Sequence, residues 1–447
     1  MKVKRNPSPQ TVDIAADAEG LVSHAGAFLV TELADRIGLT EALSEAMAPT
    51  RWRRSAHDPG RVLRDLCVSI ADGGDCLSDL GVLRGQEVLF GPVASETTAH
   101  RVVKSIDAER LDAVRAARAA ARAAAWEAGA RPATITLDID ATLLSAHSEK
   151  QDAAGNYKGG FGFHPLLCYL DETGEALAGL LRPGNAGANT AEDHFEVLQR
   201  ALEQIPEADL EREILVRADI GGATHAFTAD CREASIRFSV GYELTEAVRE
   251  AILALPESSW EQAIQGEGEE REGAWVGELS DGVGLERWPA RTRLIVRRER
   301  PHPGAQFEIF DAHGYRYTCF ITDQADEDIA ALELRHRHRA RVEDEIRTGK
   351  DTGMRNLPFH SFDHNEAWLE LSLAAQDLLA WTRVLCLDGE LARAEPKRLR
   401  QRLLHVAGQM VRSGRRTRLR LPRSWPWAQA LLAAFRRLRA LPAPSPP

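Results

Sequence analysis

Cysteine is scarce and scattered. The 447 residues hold six (Cys67, Cys76, Cys168, Cys231, Cys319, Cys386), with no C-x-x-C pair and no histidine at ligand spacing beside one. That excludes a disulfide framework or a cysteine-built zinc module and implies reduced thiols. Long apolar runs are missing as well. Nothing approaches the roughly 18 uninterrupted apolar residues of a membrane helix, and MKVKRNPSPQ leads into an acidic stretch rather than a signal-peptide core. A cytoplasmic protein with no membrane partner is expected. No internal repeat is present, and biased composition is confined to one Ala/Arg helix and the end LPAPSPP.

Positive charge is in deficit, at −11 net, but unevenly so. Residues 391–447 hold 14 Arg or Lys against the single acid Glu395, a balance of +13 that leaves −24 for the remainder. Any polyanion must therefore meet a focused basic surface. Arg415, Arg416, Arg418 and Arg420 are the candidates there, unless the tail serves only solubility. With 44% hydrophobic residues the chain has the composition of an ordinary globular protein, long enough for several cores.

The periodicity divides the chain into five regions. Residues 1–130 read as helical, and ASETTAHRVVKSI, with Ser95 as N-cap, suits a helix-turn-helix contact to DNA. From 131 to 241 the pattern is three strands, helix, strand, helix, strand, beginning with ATITLDIDATLLSAH and turning at Glu172-Thr173-Gly174. That order suits a mixed sheet of the ribonuclease H type. Residues 242–314 read as a β-rich insertion, residues 315–390 as the second part of the core, and 391–447 as a basic helical region.

Chemistry is suggested first by HRHRARVEDEIRTGK, residues 336–350. On a helix advancing about 100° per residue from His336, Arg339 falls near 300°, Glu343 near 340° and Lys350 near 320°, a stripe about 60° wide, whereas Glu345 lies opposite near 180°. A merely solvated helix would scatter its charges. Two aspartates, Asp138 and Asp140, interrupt an apolar strand where an unpaired carboxylate costs several kcal/mol, and Asp219 sits where a strand gives way to Ile-Gly-Gly. Three carboxylates supplied by these segments and Glu343 fit two Mg²⁺ (or Mn²⁺) ions about 4 Å apart on a phosphodiester. Arg339 and Lys350 would hold DNA phosphates, with His336 a further donor and Arg347 another cation on the same helix. His164 and His225, bordering strands, read as satisfied histidines rather than metal ligands.

The series His336, Arg339, Glu343, Lys350 resembles the Y-R-E-K signature of DDE transposases of bacterial insertion sequences in the insertion sequence 4 group. Within it, LDIDATL, GFGFHPLL, RADIGGATHAF, RARVEDEIRTGK, NEAWLELSLAAQDLLAW and GGDCLSDLGVLR are most similar to the insertion sequence 1380 family, over roughly residues 20–440. His336 departs from the usual Tyr. The resemblance implies a ribonuclease H-like core with a β-rich insertion, an N-terminal DNA-binding region, and cut-and-paste movement of an element with terminal inverted repeats. It also implies Asp140, Asp219 and Glu343 as the triad, with Asp140 preferred because a Thr follows two residues later, and Asp138 as supporting or possible metal ligand. A tryptophan of the insertion, Trp260, Trp275 or Trp288, would capture a flipped base. The expected partners are inverted-repeat and target DNA, with a homodimer at synapsis because two ends need two active sites; a nucleoid-associated location follows.

Two rival functions share these residues. D-x-D-x-T at Asp138 and Asp140 matches haloacid dehalogenase-like phosphatases, with Asp138 as nucleophile, but would leave the Arg339, Glu343, Lys350 stripe without a role. A catalytically inactive end-binding repressor would keep the DNA contacts alone.

Overall fold

The computed structural model describes residues 14–442 apart from 53–54, 148, 188, 267, 280–282, 302–311 and 415. After the short strand β1 (Leu21–Val22) come α1 (Ala27–Arg36), α2 (Leu39–Ala46), α3 (Pro59–Ala71), α4 (Leu80–Arg84), α5 (Glu87–Phe90), α6 (Glu96–Lys104) and α7 (Ala108–Ala125). Side-chain caps start three of them: Asp58 accepts from the Arg61 N–H, Ser95 from Thr98 and Asp107 from Arg110.

The central sheet begins with β2 (Ile135–Ala141), and a small antiparallel sheet of β3 (Leu144–Ser145), β4 (Ala154–Gly155) and β5 (Phe161–Phe163) follows it. Gly162 closes that small sheet, because a Cβ there would sit 2.0 Å from the Leu144 carbonyl oxygen. Next come β6 (Leu166–Leu170), β7 (Glu175–Leu180), α8 (Ala191–Leu202), β8 (Ile214–Ala218), α9 (His225–Glu233), β9 (Arg237–Tyr242) and α10 (Glu246–Ala254). The expected order of three strands, helix, strand, helix, strand is present as β2, β6, β7, α8, β8, α9, β9. Then β10 (Glu261–Ile264), β11 (Glu270–Leu279), β12 (Arg293–Glu299) and β13 (Arg316–Thr322) do not stand apart. They extend the same sheet, which has nine strands in the order β10-β11-β12-β13-β9-β8-β2-β6-β7. β2 pairs in parallel with β8, and β8 with β9; the other pairings are antiparallel.

The stretch read as one helix from 336 to 350 is divided. α11 (Ile329–Arg337) passes through a 3₁₀ turn at His338–Ala340 into α12 (Arg341–Gly349), and a wider turn at Lys350–Met354 ends it with Gly353 at φ 84°. α13 (Phe362–Trp381) is apolar almost all round, as expected, and packs against β7 and α3. Its two buried acids, Glu370 and Asp377, answer two buried arginines of α7. Arg118 pairs with both, and Arg122 reaches Asp377 at 2.6 Å and Glu175 of β7 at 2.7 Å. The helical N-terminal region is thereby tied into the core.

The C-terminal region follows α14 (Gly389–Ala392) and α15 (Pro396–Leu399) and corrects the helical expectation. A hairpin of β14 (Gly408–Ser413) and β15 (Arg416–Arg420) precedes α16 (Ala428–Ala440), and β14 pairs antiparallel with β1. The alternation Q-M-V-R-S-G-R-R-T-R-L-R forms strands because Gly414, at φ 59°, makes the turn and a distant strand supplies the third edge.

Candidate active site

The parallel register of β2 and β8 builds the site. Their last pair is Ile139 with Ala218, so Asp140, still paired with Leu167 of β6, and Asp219, the first residue after β8, stand at the same carboxyl end of the sheet. Asp219 caps the turn that follows, its side chain accepting from the Gly221 N–H at 2.8 Å. Gly222 is required there, since a Cβ would lie 2.6 Å from that of Ala218. α12 packs against β2 and α13, burying Val342 and Ile346 and leaving Glu343 exposed.

The charges of Asp219 and Glu343 both act on Asp140. Burial and then the charge of Asp219 push the Asp140 carboxyl up to about 6, with Glu343 adding to the rise. Arg339, whose Nη1 stands 3.8 Å from Asp140 Oδ2, and the Ala141 N–H at 2.8 Å pull the other way. Negative charge is thus gathered with little protein counter-charge. An all-oxygen donor set under like-charge crowding fits hard dications such as Mg²⁺ or Mn²⁺.

Asp138 has a different environment. It is buried, and the register sets it opposite Arg217 of β8, which donates Nε–H to Oδ1 at 2.7 Å and Nη2–H to Oδ2 at 2.6 Å. Burial works against both charges. The hydrogen bonds and charge of Asp138 nevertheless hold Arg217 above its ordinary pKa. Both oxygens being committed, the expectations of Asp138 as a metal ligand or as a phosphatase nucleophile are corrected. It is a structural partner of Arg217, which also reaches Asp171 at 3.0 Å and the Arg335 carbonyl at 2.6 Å.

Of the cations, Arg339 joins the carboxylates, while Lys350 is half-buried beyond them. Burial lowers the Lys350 pKa, and Arg355 and Lys158 lower it further. His336 is corrected. Its ring lies stacked 4.2 Å from Phe320, and its Nδ1 is 2.9 Å from Ser239 Oγ. Burial, then Arg339, push it down to about 3. It is a neutral packing residue rather than a phosphate-holding cation. Arg347 is corrected too, because it pairs outward with Asp344 at 3.0 Å and Glu395 at 3.1 Å.

The three tryptophans separate. Trp260 and Trp275 both face Arg298, at 4.3 and 5.1 Å, an arginine held by Glu257. Trp288 instead packs 4.3 Å from His225 and 5.7 Å from Tyr242, beside the turn that carries Asp219. His164 places Nδ1 at 3.1 Å from the Ala186 carbonyl, a satisfied histidine. In the tail, Arg416, Arg418 and Arg420 are exposed on β15 with no ion-pair partner among the described residues, and Arg415 lies outside those residues. Arg217 and the buried Arg182, whose Nη2 has no hydrogen-bond partner, were not anticipated. Arg217 was recoverable only as the residue two before Asp219, on the same strand face as that aspartate.

The model of the family described as Transposase DDE domain group 1 matches residues 5–443. No curated protein matches. Among solved structures, the chain is similar to that titled "Cryo-EM structure of piggyBac transposase synaptic complex with hairpin DNA (SNHP)", at 10% identity and a TM-score of 0.44, over 85% of this chain and 79% of that one.

Proposed function

The chain belongs to the Transposase DDE domain group 1 family, and from that premise we propose that it cuts and joins DNA at the inverted-repeat ends of an insertion sequence, with Asp140, Asp219 and Glu343 as its catalytic carboxylates. One observation carries the proposal. Asp140 and Asp219 stand side by side at the carboxyl ends of adjacent parallel strands, where the charges of Asp219 and Glu343 both bear on Asp140.

The three carboxylates would hold two Mg²⁺ or Mn²⁺ ions. Such ions, when bound, activate the attacking oxygen and stabilise the leaving oxygen of a phosphodiester. The remaining work falls to the chain. Arg339 neutralises Asp140 and is placed to hold a phosphate oxygen beside it, and Lys350 holds the strand further along. The reaction is hydrolysis that exposes a 3′-OH, followed by in-line attack of that hydroxyl on target DNA. Two ends require two protomers, hence a homodimer at synapsis. The exposed β15 arginines and the helices capped at Ser95 are the proposed DNA contacts outside the site. Trp288 is the proposed acceptor of a displaced base, because Trp260 and Trp275 are taken up by Arg298.

The strand order β7-β6-β2-β8-β9, with β8 and β9 parallel to β2, supports the ribonuclease H-like assignment. The quoted motifs support membership of the insertion sequence 1380 group. No described helix is long and apolar enough to cross a membrane.

The test is Mg²⁺-dependent cleavage of a duplex carrying the inverted repeat that flanks the gene, comparing the intact chain with Asp140→Ala, Asp219→Ala and Glu343→Gln. Nicking by the intact chain alone supports the proposal. Binding without cleavage in Mg²⁺ or Mn²⁺ would favour the repressor instead.

A further inference from the structure

Three side chains far apart in sequence meet where the two ends of the chain are joined. His24 lies between β1 and α1, Asp72 at the end of α3, and His405 just before β14. Their ligand atoms, one from each residue, all lie within 4.8 Å of one another. His24 Nδ1 is 2.5 Å from Asp72 Oδ2, His405 Nε2 is 3.2 Å from Asp72 Oδ1, and the two imidazole centroids are 4.3 Å apart.

The backbone holds them in place. Ala25 N–H donates to the Val406 carbonyl at 2.9 Å and Gly26 N–H to that of Leu404 at 3.1 Å, which fixes His24 opposite His405. Gly26 permits the approach, since a Cβ there would meet the Leu403 carbonyl oxygen at 1.8 Å. On the other side, Gln86 Oε1 accepts from the Ser23 and His24 N–H groups at 2.8 and 3.1 Å.

One atom of the cluster is left over. Asp72 is 93% buried, and its Oδ1 makes no hydrogen bond of good geometry, its charged neighbour being His405 Nε2 at 3.2 Å. A buried carboxylate oxygen without a well-aligned donor is poorly compensated for its lost hydration, and an ion between the imidazoles would satisfy it. Arg400 is the cation nearest at hand, but its donors are spent on the Ala71, Ile70 and Asp351 carbonyls and on Thr352.

We propose that His24, Asp72 and His405 form a structural site for a zinc-class dication, which clasps the first and last segments of the chain together. Two imidazole nitrogens and one carboxylate oxygen are a donor set that suits Zn²⁺ and not Mg²⁺, which demands oxygen ligands. The Asp72 carbonyl oxygen, 2.8 Å from His405 Nε2, or a water reaching the half-exposed His405, completes four ligands. Binding needs the Nε2 lone pair of His405 free: an imidazolium releases its Nε2 proton to solvent and keeps Nδ1–H, and a neutral ring takes the tautomer protonated at Nδ1. Tetrahedral ligands about 2.1 Å from Zn²⁺ stand some 3.4 Å apart, so His24 Nδ1 retreats from Asp72 by about 1 Å; the ring is 22% exposed and free to do so. The absence of cysteine motifs hides such a site from the sequence.

The test uses the full-length chain, dialysed against chelator, with Co²⁺ and Zn²⁺ as probes. The proposal expects one equivalent of Co²⁺ with the visible bands of a tetrahedral N/O site, displaced by Zn²⁺ and unaffected by excess Mg²⁺. It expects the same from Asp140→Ala, which separates this site from the catalytic carboxylates, and at least a tenfold weaker binding in His24→Gln and His405→Gln. As a variant-free check, Zn²⁺ should protect His24 and His405 of the intact chain from diethylpyrocarbonate, mapped by mass spectrometry. Absence of a stoichiometric Co²⁺ complex, equal binding by both histidine variants, or unchanged reactivity of the two imidazoles in Zn²⁺ would each overturn the proposal.

Discussion

Arg217 grips both oxygens of Asp138, at 2.7 and 2.6 Å, across adjacent parallel strands, and so leaves Asp140 as the aspartate of β2 that is open to the site. The two aspartates are two residues apart on one face, but only Asp138 has a counter-charge opposite it in the neighbouring strand.

That pairing predicts opposite phenotypes. Arg217→Leu strands a buried carboxylate and should lower stability by about 3–5 kcal/mol, whereas Asp140→Asn should keep the fold and abolish cleavage. Denaturant melts of both variants decide it. A wild-type midpoint for Arg217→Leu would show that the pair is dispensable.

The raised pKa of Asp140 has a definite sign. From the ordinary value of 3.8 up to about 6, the folded chain keeps a proton that the unfolded chain releases, so stability falls as pH rises through that window and the loss is complete above it. Asp140→Asn should therefore be more stable than the intact chain at pH 7.5, by ~1–3 kcal/mol, with the gap shrinking at pH 4.5. Added Mg²⁺ should close the gap at pH 7.5 by stabilising only the intact chain. Cleavage should decline as pH falls through 6. Melting curves at the two pH values, with and without Mg²⁺, measure all but the last.

Glu343 is exposed on α12 and makes no packing contribution that Gln could not replace. Glu343→Gln should cost cleavage at least ~100-fold while leaving end binding within about twofold. Single-turnover cleavage alongside a gel-shift titration separates the two; weakened binding at undiminished cleavage would remove Glu343 from the site.

The arginines of β15 project into solvent without acidic partners among the described residues. If they hold DNA phosphates, replacing Arg416, Arg418 and Arg420 by Gln should lower the slope of log affinity against log salt by roughly 3, about one per lost contact. Titration between 50 and 200 mM salt reads it, and an unchanged slope would assign the hairpin another role.

Much of the central sheet was legible because its signals are local. LDIDATL announces a buried strand by its apolar run, Asp219 a strand end by the glycines after it, and α13 its burial by its long, largely apolar run. The spacing of Arg339, Glu343 and Lys350 was counted as one continuous helix, whereas 3₁₀ and wider turns interrupt it at 338–340 and 350–354. His336 was misread because its ring is taken up by Phe320 and Ser239, residues of other segments that a count along one helix does not see. The β14–β15 hairpin was missed because its stabilising edge, β1, lies almost the whole chain away.

The amino-acid sequence by itself determined which residues carry charge into apolar segments, and periodicity assigned most of them to helix or strand. Which of those charges neutralise one another was decided only by tertiary structure. Asp138 meets Arg217, Arg118 and Arg122 meet Glu370 and Asp377, and His24 meets Asp72 and His405 through strand register and helix packing. Hydrogen bonds form only at about 3 Å and the attraction of opposite charges grows as they approach, and distances between remote segments are not set until the chain has folded.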